Sequence, residues 1–416
     1  MKLLLFLYIL PILFISGCAR NIPSVSLEPE TEISEVDDEI DAEELAAREL
    51  ASSIAAAFND RQLSAQVLIT GIEGRGQLSP GMRILLNEFP VGGVMLFRYN
   101  LDTDNNAIRN LIDETAALIS AGTSFFLEPE ILEPETETSV LSIVLPFVAV
   151  DHEGGFVNRF LPGVASLPSA VSYWEMAQER GWESAIARIY TDSLRTGNII
   201  NSLGINMNFA PVAEHQHLHN RDFLANRAYG PDPVFTANAS AAFIMGMTQA
   251  GILCTVKHFP GSAGPDPHFH PSALNYNREI LSELAAPFAA LIRDGHARAV
   301  MIAHTAVPAW DSVNISSLSP EVMGGWLRQE LGFEGIIICD DFLMAASEIN
   351  NARPEAAAVQ ALAAGADMIM VWPPYLRRTH REILAALGDG RLSRERLQDA
   401  AERNIFEKIR IGLIQN

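Results

Sequence analysis

Cysteine is nearly missing from this chain. Only Cys18, Cys254 and Cys339 occur among 416 residues. No Cys-x-x-Cys or Cys/His cluster is present, so neither a disulfide scaffold nor a structural zinc site is indicated. Cys254 and Cys339 fall in apolar, strand-like runs and are expected as buried free thiols. No Gly-x-Gly-x-x-Gly follows an early strand, which removes the phosphate turn a dinucleotide fold needs. Internal repeats and a long interdomain linker are also lacking. The one long apolar run near the start, Leu3 to Phe14, is too short for a comfortable membrane span.

Basic residues are outnumbered, 29 against 51 acidic, for a formal charge of -22. The excess is concentrated. Residues 19–50 hold 11 acids against two Arg, and 127–140 hold five Glu and no base. These stretches read as a solvated tether over 18–48 and a surface insertion near 127–140, so the acidity says little about substrate. It does argue against nucleic acid as a partner. Ahead of the tether, Met1-Lys2, the apolar run and Ile15-Ser16-Gly17-Cys18 have the layout of a secretory signal over 1–17. The last four residues resemble a bacterial lipobox. That resemblance implies a lipid on Cys18 and an exported, membrane-anchored protein of the cell envelope, periplasmic or on the cell surface.

With 48% hydrophobic residues the remainder can bury a large core. From residue 65 the chain alternates β-prone and helical stretches. Strands are expected at Gln66–Thr70, Gly93–Phe97, Ile143–Asp151, Ile205–Pro211, Leu253–His258, Ala299–His304, Gly335–Asp340 and Asp367–Trp372. Helices are expected at about 104–121, 172–203, 232–250, 277–294, 319–331, 354–364, 376–387 and 394–411. An earlier one, about 41–58, carries Leu45, Leu50 and Ile54, and Pro80 to Phe89 has room for a short one. Eight strands separated by crossovers form a parallel sheet, and eight is the number that closes a (β/α)8 TIM barrel. The expectation is one α/β catalytic domain over 49–416.

Several of these strands end in titratable groups: Asp151-His152-Glu153, Lys257-His258, His304 and Asp340-Asp341. Barrel enzymes collect their chemistry at that face. The densest stretch is Lys257-His258-Phe-Pro-Gly261-Ser-Ala-Gly264-Pro-Asp266-Pro-His268-Phe-His270. Here Asp266 is spaced to accept a bond from one imidazole nitrogen of His268, leaving the other to pass a proton, and a polar surface loop with no role is the equal alternative. Glu214-His215-Gln-His217-Leu-His219 reads as a polar loop near the site mouth, with a metal site as the rarer alternative.

Lys257-His258-Phe-Pro-Gly261 followed by Asp266-Pro-His268 resembles the signature of the family 3 glycoside hydrolases, in their β-N-acetylglucosaminidase branch. Asp340-Asp341-Phe-Leu-Met344 resembles the family's nucleophile motif, with Cys339 in place of the usual Ser. Val150-Asp151-His-Glu-Gly-Gly-Phe-Val-Asn-Arg159 resembles a sugar-binding segment, and Asn206-Met-Asn208-Phe-Ala-Pro211-Val-Ala-Glu214 with Arg227 resembles another, Asn206 and Glu214 standing where Asp is usual. The resemblance covers about residues 65–372. It implies Asp340 as nucleophile, His268 as general acid/base with Asp266 as its partner, and Asp151, Arg159, Arg227, Lys257 and His258 as substrate ligands. An ungapped alignment puts His270 in the place of His268.

The implied activity is retaining, exo-acting release of terminal N-acetylglucosamine from peptidoglycan fragments or chito-oligosaccharides, with no metal or organic cofactor. A β-glucosidase, a phosphorylase of the same family and a non-catalytic glycan-binding lipoprotein remain as alternatives, and the oligomeric state is not indicated.

Overall fold

The structure is a computed structural model. It describes residues 32–127, 140–264, 266–267, 269–344 and 353–415. The signal segment and Cys18 therefore lie outside the described residues, as do 128–139 of the acidic insertion, His268 and Pro265. The chain divides into two units, 1–45 and 46–416. Among the described residues no helix is long and apolar enough to cross a membrane. A helix spans Glu32–Ala57, so helical structure begins inside the stretch expected to be tether. Residues 32–48 contain no Gly or Pro and are rich in Glu and Ala, which favour that conformation.

Eight parallel strands close the anticipated barrel. They are β1 (Leu68–Gly71), β2 (Gly93–Leu96), β3 (Phe147–Val150), β4 (Met207–Asn208), β5 (Leu253–Phe259), β6 (Ala299–Ile302), β7 (Ile336–Cys339) and β8 (Met368–Val371). Closure comes from β1, which pairs with β2 on one side and β8 on the other.

Three expected elements are divided, each at a residue that cannot continue the ladder or turn. The strand expected over Ile143–Asp151 breaks at Leu145-Pro146, because Pro146 has no N–H to give. Its first part, Val140–Val144, pairs antiparallel with Ser124–Leu127 instead, and the acidic insertion connects the two. Gly181, at φ +85°, splits the helix expected over 172–203 into Ala170–Arg180 and Trp182–Asn201. The helix over 277–294 parts at Ala285, just ahead of Pro287. A short helix does occupy Pro80–Glu88, with the Ser79 hydroxyl accepting from the Met82 N–H at 3.1 Å.

Side-chain alternation along the strands decides where the barrel's chemistry falls. Phe147 and Ala149 of β3, Ile336 and Ile338 of β7, and Met368 and Met370 of β8 fill the interior. Their neighbours Val148, Val150, Ile337, Cys339, Ile369 and Val371 pack outward against the helices. Two residues beyond the last interior position come Asp151, Asp340 and Trp372, which the same parity turns toward the mouth. Met95 within β2 and Phe97 just after it repeat the pattern.

The opposite end is plugged. Leu413 joins the interior cluster, and Ile414–Gln415 pair with Ile143 and Val144. Lys408 is fully buried there, its Nζ donating to the Gln66 side-chain oxygen at 2.9 Å and lying 5.0 Å from the Phe147 ring centre.

Candidate active site

At the open end a chain of opposite charges is assembled from three strand ends. Arg159 donates to Asp151 Oδ2 at 2.8 Å. Lys257 contacts the other oxygen of Asp151 and lies 2.6 Å from Glu153 Oε1. Arg227 grips Glu153 with both Nε and Nη2, at 2.8 and 2.9 Å. Two carboxylates thus face three cations, and all are buried or half-buried. Burial pushes the Asp151 and Glu153 carboxyls up, but Lys257 together with Arg159 or Arg227 outweighs it and holds both below the usual carboxylate range.

Lys257 and His258 are consecutive on β5 and would ordinarily point to opposite faces. The β5–β6 register shifts between Val256 and Phe259, and the peptide joining Lys257 to His258 is cis. Both side chains line the site. His258 bonds through Nδ1 to Glu214 Oε1 at 2.8 Å. The other Glu214 oxygen accepts from Ser262, from its backbone N–H at 2.7 Å and its hydroxyl at 2.6 Å. Burial raises the Glu214 carboxyl, yet the His258 bond and charge, with Ser262, outweigh it and hold it below its ordinary value.

Asp340 is half-buried, and one of its oxygens accepts from the Asp341 N–H at 2.8 Å. Asp341 turns the other way, taking bonds from the Leu343 N–H at 2.9 Å and from the Trp372 indole. Burial raises its carboxyl above the ordinary value despite those donors. A cavity of about 210 Å³ joins Asp340 to Asp151, Arg159, Arg227, Lys257 and His258, with Met95, Met301 and Met370 in its floor. Six of the eight residues expected in the site therefore share one space. His268 lies outside the described residues. Asp266 is half-buried, and its carbonyl accepts from the Phe269 and His270 N–H groups at 3.1 Å each. The loop between Asp266 and His268 is nonetheless close by, since Pro267 lines a small recess with His258, His304 and Asp340. His270 is exposed.

Two further histidines near the site are buried and hydrogen-bonded. His304 is held between the Ser317 hydroxyl at 2.7 Å and the Asp341 carbonyl at 3.0 Å, and burial keeps its imidazole below the usual value. His152 bonds the Ala165 carbonyl at 2.8 Å, and burial lowers it to about 4. His215, His217 and His219 form a row of neighbouring rings, and among the described residues no group of three metal-ligating side chains converges. Cys254 and Cys339 are buried and free, as expected.

Residues 75–405 match the sequence model of the glycosyl hydrolase family 3 N terminal domain. The chain belongs to glycoside hydrolase family 3. It is 32% identical over 299 residues to the beta-hexosaminidase of Methylococcus capsulatus, covering 71% of this chain and 79% of that protein. To the beta-hexosaminidase of Xanthomonas campestris pv. campestris it is 30% identical over 359 residues, covering 84% and 92%. Among solved structures it resembles a glycoside hydrolase family 3 beta-N-acetylglucosaminidase from Paenibacillus sp. str. FPU-7, with a TM-score of 0.74 and 29% identity. That match covers 86% of this chain and 63% of the Paenibacillus chain.

Family membership makes this chain's departures informative. Asn206 sits at the closed end, where Oδ1 accepts from the Val148 N–H at 2.8 Å and Nδ2 donates to the Pro146 carbonyl at 3.3 Å. It ties β3 to β4 rather than serving the mouth. Glu214 reaches both His258 and Ser262. Sequence reasoning did not pick out Glu153 or Glu214 as working members of the site. The available signal was charge: a buried Lys257 and a nearly buried Arg227 require carboxylate partners, and both Glu stand inside the same motifs.

Proposed function

We propose that this family 3 enzyme is a retaining, exo-acting β-N-acetylglucosaminidase. The observation that carries the reading is the single cavity onto which Asp340 and five sugar-binding candidates open. At about 210 Å³ it is smaller than the pockets of roughly 300–1,000 Å³ that take drug-sized ligands. It suits one terminal sugar, and the barrel interior closes its floor. Asp151, Arg159, Arg227, Lys257 and His258 supply charge-assisted bonds for hydroxyl groups. In the first step the Asp340 carboxylate bonds to the anomeric carbon as the glycosidic C–O bond breaks, and His268 gives its proton to the departing oxygen. In the second, His268 takes a proton from water, which displaces the ester and returns Asp340 as a carboxylate. Asp266 holds the imidazole in one tautomer and raises its basicity.

The substrate class we propose is peptidoglycan fragments or chito-oligosaccharides, met outside the cytoplasm by a chain anchored through lipid on Cys18. Support for the anchor is the Ile15-Ser16-Gly17-Cys18 ending of the apolar segment. Mass spectrometry of the mature N-terminus tests it: a diacylglyceryl cysteine is expected, and an unmodified Cys18 rejects it.

The activity is tested with 4-nitrophenyl N-acetyl-β-glucosaminide and the matching glucoside, with and without phosphate. Release from the N-acetyl substrate alone, lost in Asp340→Ala, is expected. Preference for the glucoside would move the substrate, acceleration by phosphate would make the enzyme a phosphorylase, and no release from either would leave a glycan-binding protein.

A further inference from the structure

Asp341 has no part in the reaction above, yet all of its polar groups are committed. Its N–H donates to one oxygen of Asp340 at 2.8 Å. Its carbonyl accepts from the Met344 N–H at 3.0 Å, which closes a turn, and from His304 Nε2, also at 3.0 Å. Its carboxylate takes the Leu343 N–H on one oxygen at 2.9 Å and the Trp372 indole N–H on the other. The residue so pinned is the one whose backbone holds the candidate nucleophile.

Two of these bonds come from the neighbouring strands. β7 lies between β6 and β8 in the barrel. His304, just after β6, braces the Asp341 carbonyl from one side, and Trp372, just after β8, braces its carboxylate from the other. Each brace is itself held. The Ser317 hydroxyl fixes His304 Nδ1 at 2.7 Å. The Trp372 ring stacks on Phe97 with centroids 4.8 Å apart and planes 18° from parallel, which sets the direction of the indole N–H. A Cβ at Gly71, the last residue of β1, would come within 3.0 Å of Phe97 and 3.6 Å of Trp372, so the missing side chain there makes room for the stack.

Resting on the reading of Asp340 as the nucleophile, we propose that Trp372 and Asp341 are positioning residues for it. The indole N–H from β8 fixes the Asp341 carboxylate, and the Asp341 N–H holds one oxygen of Asp340, which leaves the other for the anomeric carbon. Attack on carbon needs the carboxylate in one orientation, and a misplacement of about 1 Å costs on the order of a hundredfold in rate. Two donors also keep the Asp341 carboxylate turned aside. With one donor lost it could swing toward Asp340 and set a second negative charge beside the reacting oxygen. The role belongs to the N–H of Trp372 and not to its ring face, so it separates from any contact the ring makes with the sugar.

The test uses the full chain, Trp372→Phe, Asp341→Asn and the double variant, each counted as folded protein from its melting curve. Phenylalanine keeps an aromatic ring against Phe97 and loses the donor. Asparagine offers one oxygen where two donors arrive. Two quantities are read: kcat/KM for 4-nitrophenyl N-acetyl-β-glucosaminide, which reports the attack, and the inhibition constant of N-acetylglucosamine, which reports the grip on the sugar alone. In Trp372→Phe, kcat/KM is expected to fall about tenfold, the low end for a hydrogen bond to a charged group, while the inhibition constant holds. Asp341→Asn should lose at least as much, and the double variant no more than the larger single loss, because both changes remove one contact. An unaltered kcat/KM in Trp372→Phe overturns the proposal. So does an inhibition constant that rises by the same factor, which would make the ring a sugar contact, and so do losses that multiply in the double variant. A wild-type chain inert toward the substrate, or one whose activity survives Asp340→Asn, would instead defeat the reading of Asp340 as nucleophile, and the positioning role with it.

Discussion

Lys408 is fully buried under the barrel, its amine bonded to the Gln66 amide oxygen and set over the face of Phe147. Among the described residues no carboxylate pairs with it. Burial lowers its amine from 10.5 to about 7. Between about pH 7 and the unfolded value near 10.4 the folded chain holds this lysine neutral, while the unfolded chain holds it protonated. The unfolded state then binds more protons, so stability rises with pH across that window. At about 1.36 kcal/mol per unit, the gain from pH 7 to 9 is roughly 2 kcal/mol, since the amine is only half deprotonated at the start of the window. Below pH 7 both states carry the proton and the full penalty of a buried charge applies. Lys408→Met removes the titration, keeps most of the volume and leaves Gln66 short of one bond, a cost of about 1 kcal/mol. Urea unfolding of both proteins at pH 6, 7, 8 and 9 checks this. The methionine protein should be the more stable at pH 6, and its advantage should shrink by roughly 2 kcal/mol between pH 7 and 9. Other titrating groups cancel in the difference. A difference that stays constant over that window would mean that Lys408 remains charged in the folded protein, and the reasoning from burial would be wrong.

Asp340→Asn should lower kcat by at least about a thousandfold while the thermal midpoint holds, since the proposed nucleophile is removed without a change of shape; steady-state kinetics beside a melting curve decides it. Glu214→Gln keeps size but loses the charge facing His258, and kcat/KM should fall roughly tenfold to a hundredfold, the worth of a charge-assisted bond. Glu214→Asp should restore part of it if charge rather than reach is what matters. Glu153→Gln leaves Arg227 and Lys257 short of a partner charge and should destabilise the protein by about 3–5 kcal/mol in urea unfolding near neutral pH. The Glu153 carboxyl is held below its ordinary value, so its contribution is present above the unfolded value near 4.3 and is lost as pH falls through the lower folded one. The gap between wild type and Glu153→Gln should therefore stay level from pH 7 to about 5 and close only in stronger acid.

The barrel was legible because its signals are local. Apolar runs at Val148–Val150, Ile336–Cys339 and Met368–Val371 announce strands by composition and length, and the helices between them follow from periodicity and from breakers such as Pro354 and Gly365. The same locality made Asp151 and Asp340 readable as candidate site residues, since each directly follows a strand and the face of a residue follows from counting by two. The elements read as single, over 143–151 and 172–203, were divided by Pro146 and Gly181, whose effects are also local but were outweighed by the apolar pattern around them.

Local chemistry along the chain sets the alternation of strands and helices and the titratable groups that end the strands. Which of those groups meet was decided only when β1 closed against β8. Glu153 takes Arg227 from 74 positions away, and Phe97 meets Trp372 across about two thirds of the chain's length. Glu214 becomes a clamp for His258 and Ser262 because β4 lies beside β5. Periodicity reports how a residue faces its own strand. Charge pairing and ring stacking depend on distances between strands, and those exist only in the closed barrel.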